Sequence, residues 1–227
     1  MTNINKEKIK QLLVMFSEEM FKAYNFSIEK DTIRKYKSKM VFPKYRDDEK
    51  TVTEKNVRVS EQEARFAFCN VLEKVEYIDF LYSVETPTQE EYSFSGKGKQ
   101  SAMTDLTLYT DKNKILANIE FKAHSVDEPK IRKDFEKLIR EDVPVCVFIQ
   151  VFKNIDSGTI NSFFDDKLNI AMQELENKKV KDKPFILCIC CLKKETIHYH
   201  EFQNMNELKN CIDVKNEFEN NLMSKKA

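Results

Sequence analysis

AMTDLTLYT, residues 102–110, and KILANIEFKA, residues 114–123, are two runs rich in apolar, aromatic and threonine residues. The polar residues between them, Asp111-Lys112-Asn113, are typical of a tight turn. The pattern therefore predicts a hairpin of two antiparallel strands at the centre of the fold.

The segments on either side of this hairpin alternate between helix-like and strand-like patterns. Ser60-Glu61-Gln62-Glu63 has the form of a capping box, in which a serine at the start of a helix is followed three residues later by a glutamate. Continuous apolar runs such as VPVCVFIQVF are typical of buried central strands. We expect helices at 5–23, 60–76, 127–141, 159–177 and 206–222, further strands at 77–85, 143–152, 184–192 and 195–203, and a polar loop at 86–100. This order predicts an α/β (α+β) fold with a central mixed β-sheet flanked by helices.

Composition limits the class of protein. The formal net charge of the 227 residues is zero, from 38 basic and 38 acidic residues, which argues against a uniformly basic nucleic-acid binder. The charge is unevenly distributed, however, because eight basic and two acidic residues lie between Lys22 and Arg46, interleaved with aromatic residues. Such a segment is typical of a nucleic-acid contact, and equally of a solvated irregular segment.

At this length one domain is the default. We divide the chain into an N-terminal helix with its basic, aromatic segment, residues 1–59, and a core with a C-terminal helix, residues 60–227. The sequence has no apolar run of membrane-spanning length and no signal-peptide pattern, so we expect a cytoplasmic protein without a membrane partner. The six cysteines are then expected to be thiols.

Three charged residues interrupt the two hairpin strands. Asp105 lies in the middle of the first strand, and Glu120 and Lys122 lie near the end of the second. Because side chains two residues apart on a strand share a face, Glu120 and Lys122 are expected to point together. Two carboxylates on neighbouring strands offer the oxygen ligands that Mg²⁺ prefers, and a lysine beside them can orient a water molecule or stabilise a phosphate.

The acid-x-Lys pattern alone is uninformative, because it occurs seven times in this charged chain. Glu120-Phe121-Lys122 differs from the other six occurrences because it lies on an apolar-flanked strand, whereas they fall in loops or predicted helices. Acids on half-buried strands oppose β-propensity and are unfavourable to bury unless they are paired or bind a metal. The alternative is a cross-strand ion pair of Glu120 and Lys122 on a solvated face.

The order of these features is similar to that of a known enzyme superfamily. A helix with acids in its first turn, then Asp105 on a strand, Glu120-x-Lys122 on the next strand and the helical segment PKIRKDFEKLIRED resemble the PD-(D/E)xK nucleases over roughly residues 60–152. Thr104 departs from the pattern, since a proline usually precedes the aspartate. The resemblance implies a restriction-endonuclease-like core and a Mg²⁺-dependent nuclease in which Mn²⁺ substitutes for Mg²⁺.

The resemblance also implies a role for each matching residue. Asp105 and Glu120 would bind the metal, with the Phe121 carbonyl as the third ligand. Lys122 would position or deprotonate the attacking water.

The acid on the preceding helix would tune the site or hold a second metal, and Glu61 and Glu63 both qualify. Glu61 is favoured because it falls on the helical stripe that faces the sheet, whereas Glu63 has a capping role. The alternative for Glu61 is a solvated acid that interacts with the helix dipole.

Further polar residues are secondary candidates. Gln150 interrupts an apolar strand, where it is expected either to line the site or to be a buried, hydrogen-bonded amide. His124 follows the motif closely and is expected either to contact substrate or to end the strand. Candidate nucleic-acid contacts lie in the basic segment and in the loop SGKGKQ: Lys35, Lys37, Lys39, Lys97 and Lys99.

A zinc site is the less favoured interpretation of the C-terminal strands. Cys188, Cys190 and Cys191 are followed by His198 and His200, but their spacing does not match the usual zinc-ligand pairs. Alternation along two paired strands explains them better, as buried thiols and a solvated histidine pair.

We therefore expect a metal-dependent nuclease that hydrolyses phosphodiester bonds, of DNA more than RNA, in restriction, antiphage defence or a mobile element. A homodimer is expected because one active site cuts one strand, and a targeting partner because no separate specificity domain is evident. One alternative is a non-catalytic nucleic-acid- or protein-binding module on the same fold. Another is a regulator of a defence system without nucleic-acid chemistry.

Overall fold

A computed structural model of the chain describes residues 3–28, 38–43, 57–93, 98–111, 113–124, 126–175 and 182–223. Its centre is a six-stranded sheet in which the strands lie side by side in chain order. Strands 3, 4 and 5 are parallel to one another, and the remaining neighbours are antiparallel. The strands are β1 (Leu81–Tyr92), β2 (Gln100–Asp111), β3 (Lys114–Ala123), β4 (Val145–Phe152), β5 (Phe185–Cys191) and β6 (Thr196–Phe202).

Helices cover both faces of this sheet, which confirms the expected mixed α/β fold. They are α1 (Asn3–Ile28), α2 (Glu61–Lys74), α3 (Glu128–Arg140), α4 (Ser157–Asn161), α5 (Asn169–Glu174), α6 (Met205–Lys209) and α7 (Lys215–Met223). No helix in these ranges combines the length and the apolarity of a membrane-spanning segment.

The sheet separates two hydrophobic cores. On one face, α1 and α2 pack against β3 through Ile119 and Phe121. On the other face, α3 and the helices that follow it pack against β4 and β5 through residues such as Phe148. Because side chains alternate along a strand, Glu120 and Lys122 project toward the α3 face while Phe121 points into the opposite core.

The pairing of β2 with β3 stops short of Asp105 and Glu120, whereas β3 stays paired with β4 from Ala117 to Ala123. The last paired residues are Leu106 and Ile119. Beyond them, Asp105 Oδ2 accepts a hydrogen bond of 2.9 Å from the Phe121 backbone N–H. The two strands thus part at Asp105 and Glu120, and we call this opening the β2–β3 fork.

Two predicted boundaries are wrong for identifiable reasons. β1 covers 81–92, so the strand predicted at 77–85 is shifted and the first seven residues of the polar loop predicted at 86–100 are strand. This edge strand is polar because much of it faces solvent, and its irregular stretch is held by Glu141, whose carboxylate accepts hydrogen bonds from the backbone N–H groups of Gln89 (2.8 Å) and Glu90 (3.0 Å).

The last two predicted helices are interrupted. The helix expected at 159–177 includes a π-helical stretch, Ser162–Leu168, between α4 and α5. The helix expected at 206–222 is divided into α6, a 3₁₀ turn (Cys211–Val214) and α7. Asn210 lies at the first break with a non-helical backbone, as expected of a residue type whose side chain competes with helical hydrogen bonds.

Candidate active site

The fork brings Asp105, Glu120 and Lys122 together. All three side chains line one cavity of about 320 Å³. The rest of its wall comes from the start of β2, at residues 100–103, and from α3. The cavity thus joins an acid from each of two neighbouring strands with a lysine.

Glu120 and Lys122 are buried, with relative exposures of 1% and 7%. Their closest ionic partners lie on α3. Lys137 Nζ is 2.6 Å from Glu120 Oε1, and Lys122 Nζ is 2.6 Å from Asp134 Oδ2. The alternative of a cross-strand pair on a solvated face is therefore wrong, because this face is covered by α3 and the charges are paired with the helix.

Asp105 uses both carboxylate oxygens. Oδ2 accepts from the Phe121 N–H, and Oδ1 accepts a hydrogen bond of 2.9 Å from Arg65 Nη2 on α2. Arg65 also donates through Nη1 to Glu85 of β1 at 3.0 Å. The guanidinium therefore fixes Asp105 from the side of the sheet opposite to α3.

The two candidate helix acids, Glu61 and Glu63, both lie in the first turn of α2 but make different contacts. Glu61 Oε1 lies 3.3 Å from Lys122 Nζ, so this carboxylate reaches the fork. Glu63 instead accepts a short hydrogen bond from the Ser60 hydroxyl and lines a groove between α1 and α2. Ser60 is the N-cap residue, but its hydroxyl caps no backbone N–H, so only the position of the predicted capping box is correct.

The charges of the cluster shift one another's protonation. Burial opposes the charge of Lys122, but the Asp134 and Glu61 carboxylates outweigh it and raise the pKa of Lys122 above its ordinary value. The pKa of Lys137 is raised in the same way, against the effect of burial, by Glu120 and Asp134. Burial, reinforced by Asp134, raises the pKa of Glu120 well above its usual range. Both lysines are therefore cationic at neutral pH.

Gln150 and His124 lie beside the fork. Gln150 of β4 is buried next to Lys122 in the strand register, and its Nε2 donates to the His124 carbonyl at 2.8 Å. His124 ends the strand with a left-handed backbone (φ 61°), and its Nε2 accepts a hydrogen bond of 3.1 Å from the Val59 N–H. Burial lowers the pKa of His124. His124 thus ends the strand, and Gln150 is a buried amide whose Nε2 is hydrogen-bonded while its Oε1 has no hydrogen-bond partner.

The predicted nucleic-acid contacts are only partly described. Lys39 is exposed and lines the groove between α1 and α2 together with Glu63. Lys99 is exposed and precedes Gln100, which lines the fork cavity. Lys35, Lys37 and Lys97 lie outside the described residues.

Three charged residues that contact Asp105, Glu120 or Lys122 were not predicted from the sequence: Arg65, Asp134 and Lys137. A signal was present for the last two. Asp134 falls on the apolar stripe that Ile131, Phe135 and Leu138 define on α3, and Lys137 lies one turn further along. Charged residues on a stripe that faces a sheet indicate partners within the protein. Arg65 follows Glu61 by one turn of α2, so the two share a face.

The C-terminal histidines and cysteines are explained without a metal. His198 Nε2 and His200 Nδ1 lie 2.7 Å and 3.0 Å from the two carboxylate oxygens of Glu217. Cys188, Cys190 and Cys191 are buried thiols. Across the described ranges, no group of three or more His, Cys, Asp or Glu side chains is arranged to hold a metal ion.

The donor set of the fork nevertheless fits a hard cation that takes only two carboxylates from the protein. Glu120 Oε1 is buried and accepts no hydrogen bond of good geometry, despite the nearby ammonium. The Phe121 carbonyl points to the same strand edge as its N–H, toward the opening, where it accepts a hydrogen bond of 3.1 Å from Lys122 Nζ. Two carboxylates and a carbonyl, completed by water, are ligands that Mg²⁺ accepts.

Comparisons of the chain with protein-family models, with curated proteins and with solved structures find no match. A function is therefore inferred from the residues of the fork and their geometry.

Proposed function

We propose that the protein is a Mg²⁺-dependent nuclease with a restriction-endonuclease-like core, whose active site is the β2–β3 fork. The observation that carries this proposal is the convergence of Asp105, Glu120 and Lys122 on one cavity at the point where two strands part. An acid on an apolar strand is unfavourable unless it serves a partner or a ligand, and here the buried Glu120 and the partly buried Asp105 meet beside a lysine.

The residues of the fork would divide the work of phosphodiester hydrolysis. Asp105, Glu120 and the Phe121 carbonyl would hold Mg²⁺, with Mn²⁺ as a substitute. When bound, the metal lowers the pKa of a water molecule and stabilises negative charge on the phosphate.

Lys122 would act as a donor rather than as a base. It is cationic at neutral pH because Asp134 and Glu61 raise its pKa, so it would orient the attacking water or bind a phosphate oxygen. Glu61 would position this ammonium from α2, at 3.3 Å.

DNA is the favoured substrate, in restriction, antiphage defence or a mobile element, from the resemblance to PD-(D/E)xK nucleases alone. A homodimer would pair two single-strand cuts, and a separate partner would supply targeting. Lys39 and Lys99 are exposed and available to contact the phosphate backbone.

A second candidate, a non-catalytic binding module, is favoured by the ionic pairing in the fork. Lys122, Lys137 and Arg65 already provide a cationic partner for Asp134, Glu120 and Asp105. A buried network of this kind also occurs as a purely structural feature.

Cleavage assays distinguish the two candidates. The purified chain is incubated with supercoiled, linear and single-stranded DNA in Mg²⁺, Mn²⁺ or EDTA. We expect cleavage only with a divalent cation, and its loss in Asp105→Asn, Glu120→Gln and Lys122→Met. These near-isosteric changes are preferable to alanine, because the buried network would be disrupted by truncation.

The matched control is Asp213→Asn. Asp213-Val214-Lys215 has the same acid-x-Lys pattern, but Asp213 is exposed in the 3₁₀ turn, outside the fork. This variant is expected to cleave like the unmodified chain. Cleavage that survives in all three folded fork variants would reject the proposed active site, and metal-dependent DNA binding without cleavage would favour the second candidate.

A further inference from the structure

The ammonium of Lys137 is enclosed by three oxygen atoms of the fork cavity. Glu120 Oε1 lies at 2.6 Å, Asp134 Oδ1 at 2.9 Å and the Met103 carbonyl oxygen at 2.9 Å. The residue is 4% exposed. The three acceptors come from β3, α3 and β2, so this one cation connects both strands of the fork to the helix that covers it.

Two carboxylates and a backbone carbonyl are also the oxygen ligands that bind hard divalent cations. One of them, Glu120, is the carboxylate assigned above to the metal. An ammonium at 2.6 Å neutralises much of the negative charge that would attract a second cation to the same oxygen. Lys137 and a bound metal ion would therefore interact with the same carboxylate of Glu120.

We propose that Lys137 is an internal counter-ion that competes with the divalent cation for Glu120. This role rests on the proposed function, since it concerns the same site. Asp134 lies one turn earlier on the same helix and would retain the ammonium through its own contact when Glu120 turns to the metal. Lys137 thus holds the fork together in the metal-free protein and lowers its affinity for metal.

If Lys137 competes with the metal, its removal should change the metal affinity in the opposite direction to the removal of a residue that supports the metal. Removing a side chain that supports the metal weakens metal binding, usually 10–100-fold for outer-shell partners. Removing a competing charge strengthens it. In Lys137→Met, which keeps the length of the side chain without its charge, we expect the Kd for Mn²⁺ to fall at least about tenfold, in line with the strength of a buried charge pair.

The experiment measures Mn²⁺ binding by titration calorimetry and follows the melting temperature in EDTA and in Mn²⁺. Lys137→Met should melt at a lower temperature than the unmodified chain in EDTA, because Glu120 loses its counter-ion, and should gain more from Mn²⁺. Lys133→Met is the matched control. Lys133 lines the same cavity one turn earlier on α3 but is exposed, so the same loss of charge there should change the Kd little.

Each outcome is decisive. An unchanged or weaker Mn²⁺ affinity in folded Lys137→Met, or an equal gain in Lys133→Met, would overturn the counter-ion role. If Lys137→Met unfolds in EDTA, recovery of its native circular dichroism in millimolar Mn²⁺ supports the role, and failure to recover rejects it.

The same measurements separate this inference from the proposed function. If the unmodified chain cleaves DNA with metal but Lys137→Met does not bind Mn²⁺ more tightly, the proposed nuclease function stands and the counter-ion role of Lys137 is rejected. If Lys137→Met binds Mn²⁺ more tightly but neither it nor the unmodified protein cleaves DNA, the counter-ion role stands and the nuclease function is rejected. Absence of Mn²⁺ binding by both chains would reject both.

Discussion

Lys122 lies between carboxylates of two different helices, Asp134 at 2.6 Å and Glu61 at 3.3 Å. Asp134 is buried, whereas the Glu61 side chain is 40% exposed. The buried contact keeps the ammonium charged, and the partly exposed one can adjust its direction at the mouth of the site. In the proposed nuclease, Glu61 would therefore act through Lys122, and its partly exposed carboxylate lies outside the buried core.

This placement yields a comparison of two acids on one helical turn. Glu61→Gln should lower the rate of metal-dependent cleavage roughly 10–100-fold, as outer-shell partners do. Glu63→Gln should leave it nearly unchanged, because Glu63 is bonded to Ser60 and faces another groove. Initial rates of DNA cleavage at saturating Mg²⁺ check the ranking, and a larger loss in Glu63→Gln would assign the helix acid of the site to Glu63 instead.

The sequence was informative about the strand residues of the site and less so about their partners. Asp105, Glu120 and Lys122 stood out because charges are unusual on such apolar strands, and they do share a cavity. Asp134 and Lys137 were hidden among the many charges of an amphipathic helix. Which of those charges is buried depends on how α3 packs on the sheet, and that packing is set by residues distant in sequence.

Among the elements, those with the strongest patterns were predicted best. β3 covers 114–123 as expected, and β4 and β5 lie within one or two residues of the predicted bounds, because fully buried strands are continuously apolar. β1 was placed poorly because seven of its twelve residues are exposed and only two are buried, so it lacks a continuous apolar pattern. The irregular part of β1 is hydrogen-bonded to Glu141, which is far away in sequence, and no local sequence pattern indicates this contact.

Glu141 is expected to be the main anchor of this edge strand. Its buried carboxylate accepts from the N–H groups of Gln89 and Glu90 and from the Tyr92 hydroxyl at 2.8 Å. Glu141→Ala should lower the free energy of unfolding by about 3 kcal/mol, since it leaves these donors without an acceptor. Urea unfolding measures the loss.

Hydrogen exchange localises the effect of Glu141→Ala. The amides of Gln89 and Glu90 should exchange faster, while those of the buried strand β4 should follow only the global change. Glu90→Ala is the control, because it removes a neighbouring exposed carboxylate and leaves the Glu90 N–H bonded to Glu141. Equal exchange of the Gln89 and Glu90 amides in both variants would contradict the anchoring role.

At the scale of the whole molecule, ion pairs connect α1 to β6, the edge strand of the sheet opposite to β1. Glu201 of β6 pairs with Lys6 through a short contact and with Lys10 at 2.8 Å. Burial raises the pKa of Glu201, but the two lysines outweigh it and the pKa lies below its ordinary value. The pKa of Lys10 is raised in return, against the effect of burial, by Glu201 and Glu7.

A depressed carboxyl pKa fixes the sign of the pH dependence. The folded state binds the Glu201 proton less readily than the unfolded state, so this stabilisation is complete above the ordinary glutamate pKa and is lost as the pH falls through the lower, folded value. Glu201→Gln should therefore reduce the free energy of unfolding by about 1 kcal/mol at pH 7. The difference from the unmodified chain should shrink steadily as the solution is acidified below the ordinary glutamate pKa.

Urea unfolding at neutral and acid pH checks this prediction. Glu207→Gln serves as a control, because Glu207 is an exposed carboxylate whose contacts are confined to the start of α6. A difference between Glu201→Gln and the unmodified chain that persists unchanged in acid would show that the ion pairs are not its source.

The parting of β2 and β3 also gives the protein a built-in spectroscopic probe. The Phe121 amide is bonded to the Asp105 carboxylate, and hydrogen bonds to a charged acceptor are short and strong. The chemical shift of this one amide in a ¹⁵N-labelled sample therefore depends on what else holds that carboxylate. A single NMR signal thus reports whether Asp105 keeps its contact with Arg65 or exchanges it for the proposed metal ion, without a cleavage assay.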